Sequence, residues 1–138
     1  MSRRAGVMLA AGIDLAATLL FVLVGRGSHN ADASILGLLT TWWPFAAALA
    51  VGWGVTAAWK RPFGILWPGV GVWLITVAGG MLLRTASGQG TAVPFLLVAT
   101  ISLAVLLMGW RAIAAVTSRW HSNRAASADL PRKTERYP

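Results

Sequence analysis

Four long apolar stretches, separated by short polar or basic segments, account for most of this chain. The pattern predicts helices over residues 5–25, 41–59, 65–84 and 92–112. A run of about 20 apolar residues, at 1.5 Å per residue, crosses the roughly 30 Å hydrocarbon core of a bilayer. The sequence therefore predicts an all-α, polytopic membrane protein, a bundle of four transmembrane helices with short loops.

The start of the second helix is left open by Pro44. If the helix begins at Trp42 and Trp43, the proline stands near the helix start, where its missing N–H group is not needed. If the helix begins near Ser34, Pro44 lies inside it and would kink it.

The membrane domain is predicted over residues 1–118, followed by a tail over residues 119–138. The pattern from Arg111 to Trp120 is amphipathic, which indicates that the fourth helix continues into the lipid headgroup zone. The tail is polar, basic and proline-bearing, a composition typical of disorder. We expect it to meet anionic lipid.

Charged residues are scarce in this chain. Apolar residues make up 57% of it and charged residues 12%, whereas a typical soluble domain is about 25% charged. A net charge of +8 would suggest nucleic acid in a soluble protein. Here the basic residues flank the apolar stretches, so they indicate membrane topology, and no nucleic-acid partner is expected. The absence of cysteine excludes disulfides and zinc–thiolate sites.

The positions of the basic residues predict the topology. Of the 12 lysines and arginines, all but Arg26 and Arg84 fall on the side of the chain termini. The positive-inside rule then places both termini in the cytoplasm of a multi-pass protein of the plasma (inner) membrane. In this scheme Arg111 closes the fourth helix at the inner surface, Trp110 marks the interface there, and Trp53 is a packing residue.

Asp14 is a carboxylic acid in the middle of the first apolar stretch. A carboxylate at that depth costs a few kcal/mol or more, so it should be protonated, paired or facing a wet cavity. One interpretation is an intramembrane switch that relays a proton or cation. The other is a neutral acid bonded to a neighbouring helix, for example to Thr76. No second charge is expected at this depth, which favours the structural interpretation.

A second candidate site, for an anion or a lipid headgroup, lies at the predicted outer surface. It comprises Arg26, His29 and Arg84, where the first and third helices end, with Gln89 able to add hydrogen bonds. Guanidinium groups bind phosphates and carboxylates well. In the alternative interpretation the two arginines only anchor the helices in the outer headgroups, and Asp32 pairs with one of them.

Small residues are predicted to form helix-packing surfaces, because they let helix backbones approach closely in lipid. They lie in the segment Thr76–Gly80 and at Ala48, Gly52 and Thr56, which are spaced by four residues.

Catalytic chemistry is not expected. The chain has no nucleotide-binding or metalloprotease motif, and His29 and His121 are predicted on opposite membrane faces, so they cannot share a metal or haem. No catalytic residue, cofactor or metal is therefore assigned. An enzyme acting on lipid, with His29 as its base, is the weakest of the functional options.

Several short motifs resemble a known family, in the same order. They are Asp14, Gly25–His29, Trp43–Phe45, Thr76–Met81 with Arg84, and Gly88–Thr91. Over about residues 8–112 the chain is similar to family 3054 of the domains of unknown function, small membrane proteins found chiefly in actinobacteria and haloarchaea. The resemblance implies about four helices in a bacterial inner membrane, and it supplies no catalytic residue.

The leading functional prediction is a protein that binds or passes a small solute or lipid through the outer cationic site. The alternative is an accessory subunit of a larger membrane complex, and a homo-oligomer is also open. A polar cavity joining Asp14 to the outer face would favour transport. A dry bundle with an apolar, lipid-facing groove would favour the subunit.

Overall fold

The computed structural model describes residues 1–27 and 33–128. Within them there are four α-helices, and all the regular structure is helical. The helices are α1 (Arg3–Gly27), α2 (Ile35–Thr56), α3 (Val70–Ala86) and α4 (Val93–Ala128). A 3-10 turn over Ala58–Lys60 and a π-helical turn over Ile65–Gly69 connect α2 to α3. With that second turn counted as part of α3, all four are long and apolar enough to cross a membrane. The predicted fold class is confirmed.

The second helix begins earlier than residue 41. The Ser34 Oγ accepts a hydrogen bond of 3.1 Å from the Gly37 N–H and so caps the first turn of α2. Pro44 consequently lies inside the helix, which is the second of the two alternatives that the sequence left open. Because proline has no N–H group, the Thr40 carbonyl four residues earlier has no intrahelical partner.

The fourth helix is longer than its apolar stretch. At 36 residues it is about 54 Å long, well beyond one bilayer core. It continues through Ala128 and so includes residues 119–128 of the segment that the sequence assigned to the tail. Residues 129–138 lie outside the described part of the chain.

Helices α2 and α3 pack closely through small side chains. A Cβ atom added at Gly79 would lie 3.0 Å from the Cβ of Ala48, and one added at Gly52 would lie 3.3 Å from the Val72 carbonyl oxygen. Both distances are shorter than most Cβ contacts in proteins, so a larger residue would require the neighbouring helix to shift. They confirm that both small-residue segments form a helix-packing surface.

An aromatic cluster, defined by Phe21, Phe45 and Phe95, joins α1, α2 and α4. The rings of Phe21 and Phe45 are edge to face with centroids 5.3 Å apart, and Phe95 lies 6.1 Å from Phe21. Phe45 is fully buried over Gly80 of α3, where an added Cβ would come within 2.6 Å of the ring. The absence of a side chain at Gly80 therefore makes room for the cluster.

Helix α4 is the most exposed of the four. Only 17% of the most apolar 18-residue segment of α4 is buried, compared with 44% of the corresponding segment of α3. The buried side of α4 is a narrow ridge with a spacing of four residues, in which every residue is fully buried: Ala99, Leu103, Leu107 and Arg111. The ridge is apolar except at its last position.

Candidate functional site

Asp14 lies near the middle of the membrane-spanning length of α1. At 1.5 Å per residue it is about 15 Å along the helix axis from Arg4 and about 18 Å from Arg26, the basic residues near the two ends. Its side chain is fully buried. A group at this depth cannot reach water by bending towards either end of its helix.

Four N–H groups surround the Asp14 carboxylate. Its Oδ1 accepts hydrogen bonds from Trp110 Nε1 and Arg111 Nη1, both at 2.8 Å. Its Oδ2 accepts from Trp53 Nε1 at 2.9 Å and from Arg111 Nη2 at 2.6 Å. The arginine and the carboxylate therefore form a bidentate ion pair, and two indoles complete its hydrogen bonding.

Arg111 also bonds to the backbone. Its Nη1 donates to the Leu107 carbonyl at 2.7 Å, and its Nε donates to the Pro62 carbonyl at 3.2 Å. Gly69 leaves space beside this side chain, because a Cβ added there would lie 3.2 Å from the Arg111 Cδ. The cluster of Asp14, Trp53, Trp110 and Arg111, hereafter the charge cluster, thus ties α1, α2, α4 and the α2–α3 connection together.

The charge cluster corrects three sequence predictions. A second charge does exist at the depth of Asp14, and it belongs to Arg111, which is buried and does not close the helix at the surface. Trp110 bonds to Asp14 and is not merely an interface marker. Thr76 is not the partner, since its buried hydroxyl has no hydrogen bond in the described structure. The available signal was the ridge of residues spaced by four that ends at Arg111.

The outer end of the bundle, named after its predicted orientation, holds Arg26 and Arg84. Arg26 Nη1 donates to Thr41 Oγ1 of α2 at 2.9 Å. Arg84 Nη1 donates to Gln89 Oε1 at 3.0 Å. The structure brings Arg84 and Gln89 into contact. Arg26 contacts α2 at Thr41. His29 lies outside the described residues.

Gln89 docks the α3–α4 loop on α2. Its Nε2 donates at 2.9 Å to the Thr40 carbonyl, the one that Pro44 leaves without a helical partner. The glycines on either side have positive φ angles, +75° at Gly88 and +72° at Gly90, which turn the loop sharply and present Gln89. The proline in α2 and the glycines in the loop therefore jointly position the acceptor for Arg84.

Arg84 also stacks on an aromatic ring. Its Cζ lies 4.6 Å from the centroid of Phe95, a cation–π contact. Its Nε is buried and has no hydrogen-bond partner among the described residues. Asp14 is the only carboxylate that the described residues contain, and it is engaged by Arg111. The charge of Arg84 is therefore met there by one amide oxygen and one ring.

An apolar groove of about 890 Å³ runs between α1 and α4 towards this end. Along α4 it extends from Pro94 to Leu106, about 18 Å at 1.5 Å per residue. Ser102 has the only polar side chain among the lining residues. The full lining is Leu20, Phe21, Val24, Gly25, Ala92, Pro94, Phe95, Val98, Ile101, Ser102, Val105 and Leu106. Neither the length of the groove nor its pairing of α1 with α4 was predicted.

The groove and the charge cluster are suited to different tasks. The groove is apolar and lies in the membrane-spanning part of the bundle, so it can take an apolar chain. In the charge cluster Asp14 and Arg111 are fully buried and hydrogen-bonded to each other, so the cluster can hold helices in register. The lining of the groove does not include Asp14.

A family model described as a protein of unknown function, DUF3054, matches residues 11–114. The chain belongs to the DUF3054 family. This confirms the resemblance seen in the sequence. No curated protein and no solved structure matches the chain.

The DUF3054 match covers the features described above. Asp14, Arg84 and Arg111 lie inside it, as does the whole groove lining from Leu20 to Leu106. The part of α4 beyond residue 114 lies outside it. Charge cluster, outer arginines and groove thus belong to the family domain.

Proposed function

We propose that this DUF3054 protein binds a membrane lipid, whose apolar chain lies in the groove between α1 and α4. The groove carries this proposal. Its volume of about 890 Å³ falls within the roughly 300–1,000 Å³ typical of ligand sites, and its lining is almost wholly apolar, as in such sites. Val98 and Ile101, both in the lining, are 57% and 64% exposed, so the groove is open to the surrounding lipid.

The outer arginines support binding at this end of the bundle. Arg26 follows Gly25, a lining residue, in the chain, and Arg84 stacks on Phe95, another lining residue. The polar head of a lipid in the groove would therefore meet two cations. In this proposal the two arginines form the cationic recognition site that the sequence suggested, and the groove is the apolar compartment beside it.

The charge cluster supports binding in preference to passage of a solute. A carboxylate that accepts four hydrogen bonds in a buried ion pair has no free acceptor for a proton or cation in transit. In this proposal Asp14 has a structural role, joining α1 to α4 through Arg111, and is not a switch. The role of the protein is binding, without catalysis.

The experiment that tests the proposal is photo-crosslinking in lipid vesicles, with a phospholipid carrying a photoreactive group in its acyl chain. Peptide mapping should find the label on the groove residues of α1 and α4. Val98→Trp fills the groove and should reduce labelling severalfold. Leu97→Trp is the matched control, because Leu97 is next in the chain and 59% exposed but does not line the groove.

Leu20 and Leu23 repeat the comparison on α1. They are 48% and 47% exposed, and only Leu20 lines the groove. Leu20→Trp should therefore reduce labelling, and Leu23→Trp should leave it unchanged. If all four variants label like the original protein, the lipid is bound nowhere in this groove and the proposal fails.

A second candidate, an accessory subunit, is favoured by two observations, the exposed side of α4 and the apolar, lipid-facing groove, which the sequence prediction connected with a subunit. A partner helix covering that side would contact Leu97 as well as Val98. In this case Val98→Trp and Leu97→Trp should both release the same co-purifying membrane protein in mild detergent. Lipid binding predicts instead that only Val98→Trp has an effect.

A further inference from the structure

One edge of the Arg84 guanidinium is unused. Nη1 donates to Gln89 Oε1, while Nε and Nη2 have no hydrogen-bond partner among the described residues, and Nε is buried. A buried N–H group without a partner is rare in proteins, because its desolvation is not compensated. The unused edge therefore points to a group supplied from outside the described residues.

The geometry of that edge selects the chemistry of the group. The N–H groups on Nε and Nη2 are parallel and match two oxygens of one phosphate or carboxylate, a bidentate arrangement that lysine cannot provide. The described residues offer no acid for this purpose, since Asp14 is held by Arg111. An oxyanion of another molecule would meet the requirement.

The position of Arg84 beside the groove identifies that molecule. The guanidinium stacks on Phe95 at 4.6 Å, and Phe95, Pro94 and Ala92 all line the groove near its outer end. An oxyanion bound to Arg84 would therefore be joined, within the reach of one molecule, to an apolar compartment. We infer that the bound lipid carries a phosphate headgroup, which Arg84 binds bidentately. This inference rests on the proposed function.

Gln89 has a definite part in this site as a positioning residue. It is fixed by hydrogen bonds from its Nε2 to the Thr40 carbonyl at 2.9 Å and to Ser87 Oγ at 3.1 Å. Its Oε1 holds Nη1, which keeps Arg84 stacked on Phe95 and leaves the other edge for the phosphate. As a neutral acceptor it does not neutralise the cation, so the attraction for an anion is preserved.

The test compares two lipids with the same acyl chains, a phosphatidic acid and a diacylglycerol, which lacks the phosphate. Binding to the purified full-length protein is measured by native mass spectrometry from detergent. The original protein should prefer the phosphatidic acid by about tenfold or more, the ratio expected from one or more charge-assisted hydrogen bonds. Arg84→Lys keeps the positive charge but removes the two parallel N–H groups, so this variant should lose most of the preference for phosphatidic acid.

Two further variants make the test specific. Gln89→Glu places a carboxylate beside Arg84, and it should lower the preference as strongly as Arg84→Lys does. Arg61→Lys, an exposed arginine at the other end of the bundle, should keep the preference of the original protein. If Arg84→Lys and Gln89→Glu both retain the full preference, Arg84 does not bind the phosphate.

The outcomes separate this inference from the proposed function. If both lipids bind equally and Val98→Trp blocks both, the groove binds lipid but the phosphate is not recognised, and only the inference fails. If neither lipid binds, the proposed function fails as well. If inorganic phosphate alone raises the melting temperature as much as phosphatidic acid does, the site takes a free anion and the inference is overturned.

Discussion

Asp14 and Arg111, which are 97 positions apart in the chain, form a bidentate ion pair with hydrogen bonds of 2.8 and 2.6 Å. Both side chains are fully buried. The pair joins the first helix of the bundle to the last. In lipid, each charge without the other would be expensive to bury.

Removal of one member of this pair should be strongly destabilising. Arg111→Leu leaves the Asp14 carboxylate buried without its counter-ion, which typically costs about 3–5 kcal/mol. The double variant Asp14→Asn/Arg111→Leu removes both charges, so it should recover more than half of that loss. Unfolding in a detergent–denaturant titration measures these two variants and the single variant Asp14→Asn, which together form a double-mutant cycle.

Arg61→Leu provides the control for the loss of one positive charge. Arg61 is exposed on the α2–α3 connection, and surface changes usually alter stability by no more than about 0.5 kcal/mol. A double variant as unstable as Arg111→Leu alone would show that the two side chains do not act as a pair.

The helices were predictable from the sequence because each needs only a long apolar run. The ion pair was not, since its partners are distant in the chain and Arg111 stands where an apolar run ends. The direction of side chains on a helix explains the discrepancy. Side chains lean towards the N-terminus of their helix, so Arg111 reaches back along α4 towards the membrane centre, where Asp14 lies.

The outer site was predictable in part. Arg84 and Gln89 are five residues apart around a glycine turn, and they do pair. The contribution of Thr40 depends on where α2 begins, because its carbonyl is free only if Pro44 lies inside the helix. The groove could not be predicted, since it depends on how α4 packs beside α1 and not on any local pattern.

The indole N–H of Trp53 should contribute to stability through Asp14. Trp53→Phe removes the donor to Oδ2 and keeps most of the ring, and a hydrogen bond to a charged group is worth about 1.5–3 kcal/mol. The same change at Trp43 of α2, which is 42% exposed, should have a much smaller effect. Equal melting temperatures for the two variants in detergent would argue against a structural role for this bond.

Because Phe45 packs on Gly80, replacing this glycine with a larger residue should lower the stability of the protein. Gly80→Ala places a methyl group 2.6 Å from a fully buried ring, and overpacking of this kind costs about 1–3 kcal/mol. Gly12→Ala is the control, because a Cβ at Gly12 meets nothing within 4 Å. It should be neutral or stabilising by up to about 1 kcal/mol, given the helix propensity of alanine. A Gly80→Ala variant as stable as Gly12→Ala would show that α2 and α3 are less tightly packed than described.

Both chain ends are predicted to face the cytoplasm, and the absence of native cysteine makes this directly testable. Single cysteines at Ser2, Ser122 and Ser87 report on the start of α1, the end of α4 and the α3–α4 loop. In intact cells a membrane-impermeant maleimide should label only Ser87→Cys, because four crossings and the positive-inside rule place that loop outside. All three should react after the cells are permeabilised, which controls for reactivity. Labelling of Ser2→Cys or Ser122→Cys in intact cells would show that the topology is the reverse of the predicted one. Arg84 and the adjacent end of the groove would then lie in the inner leaflet.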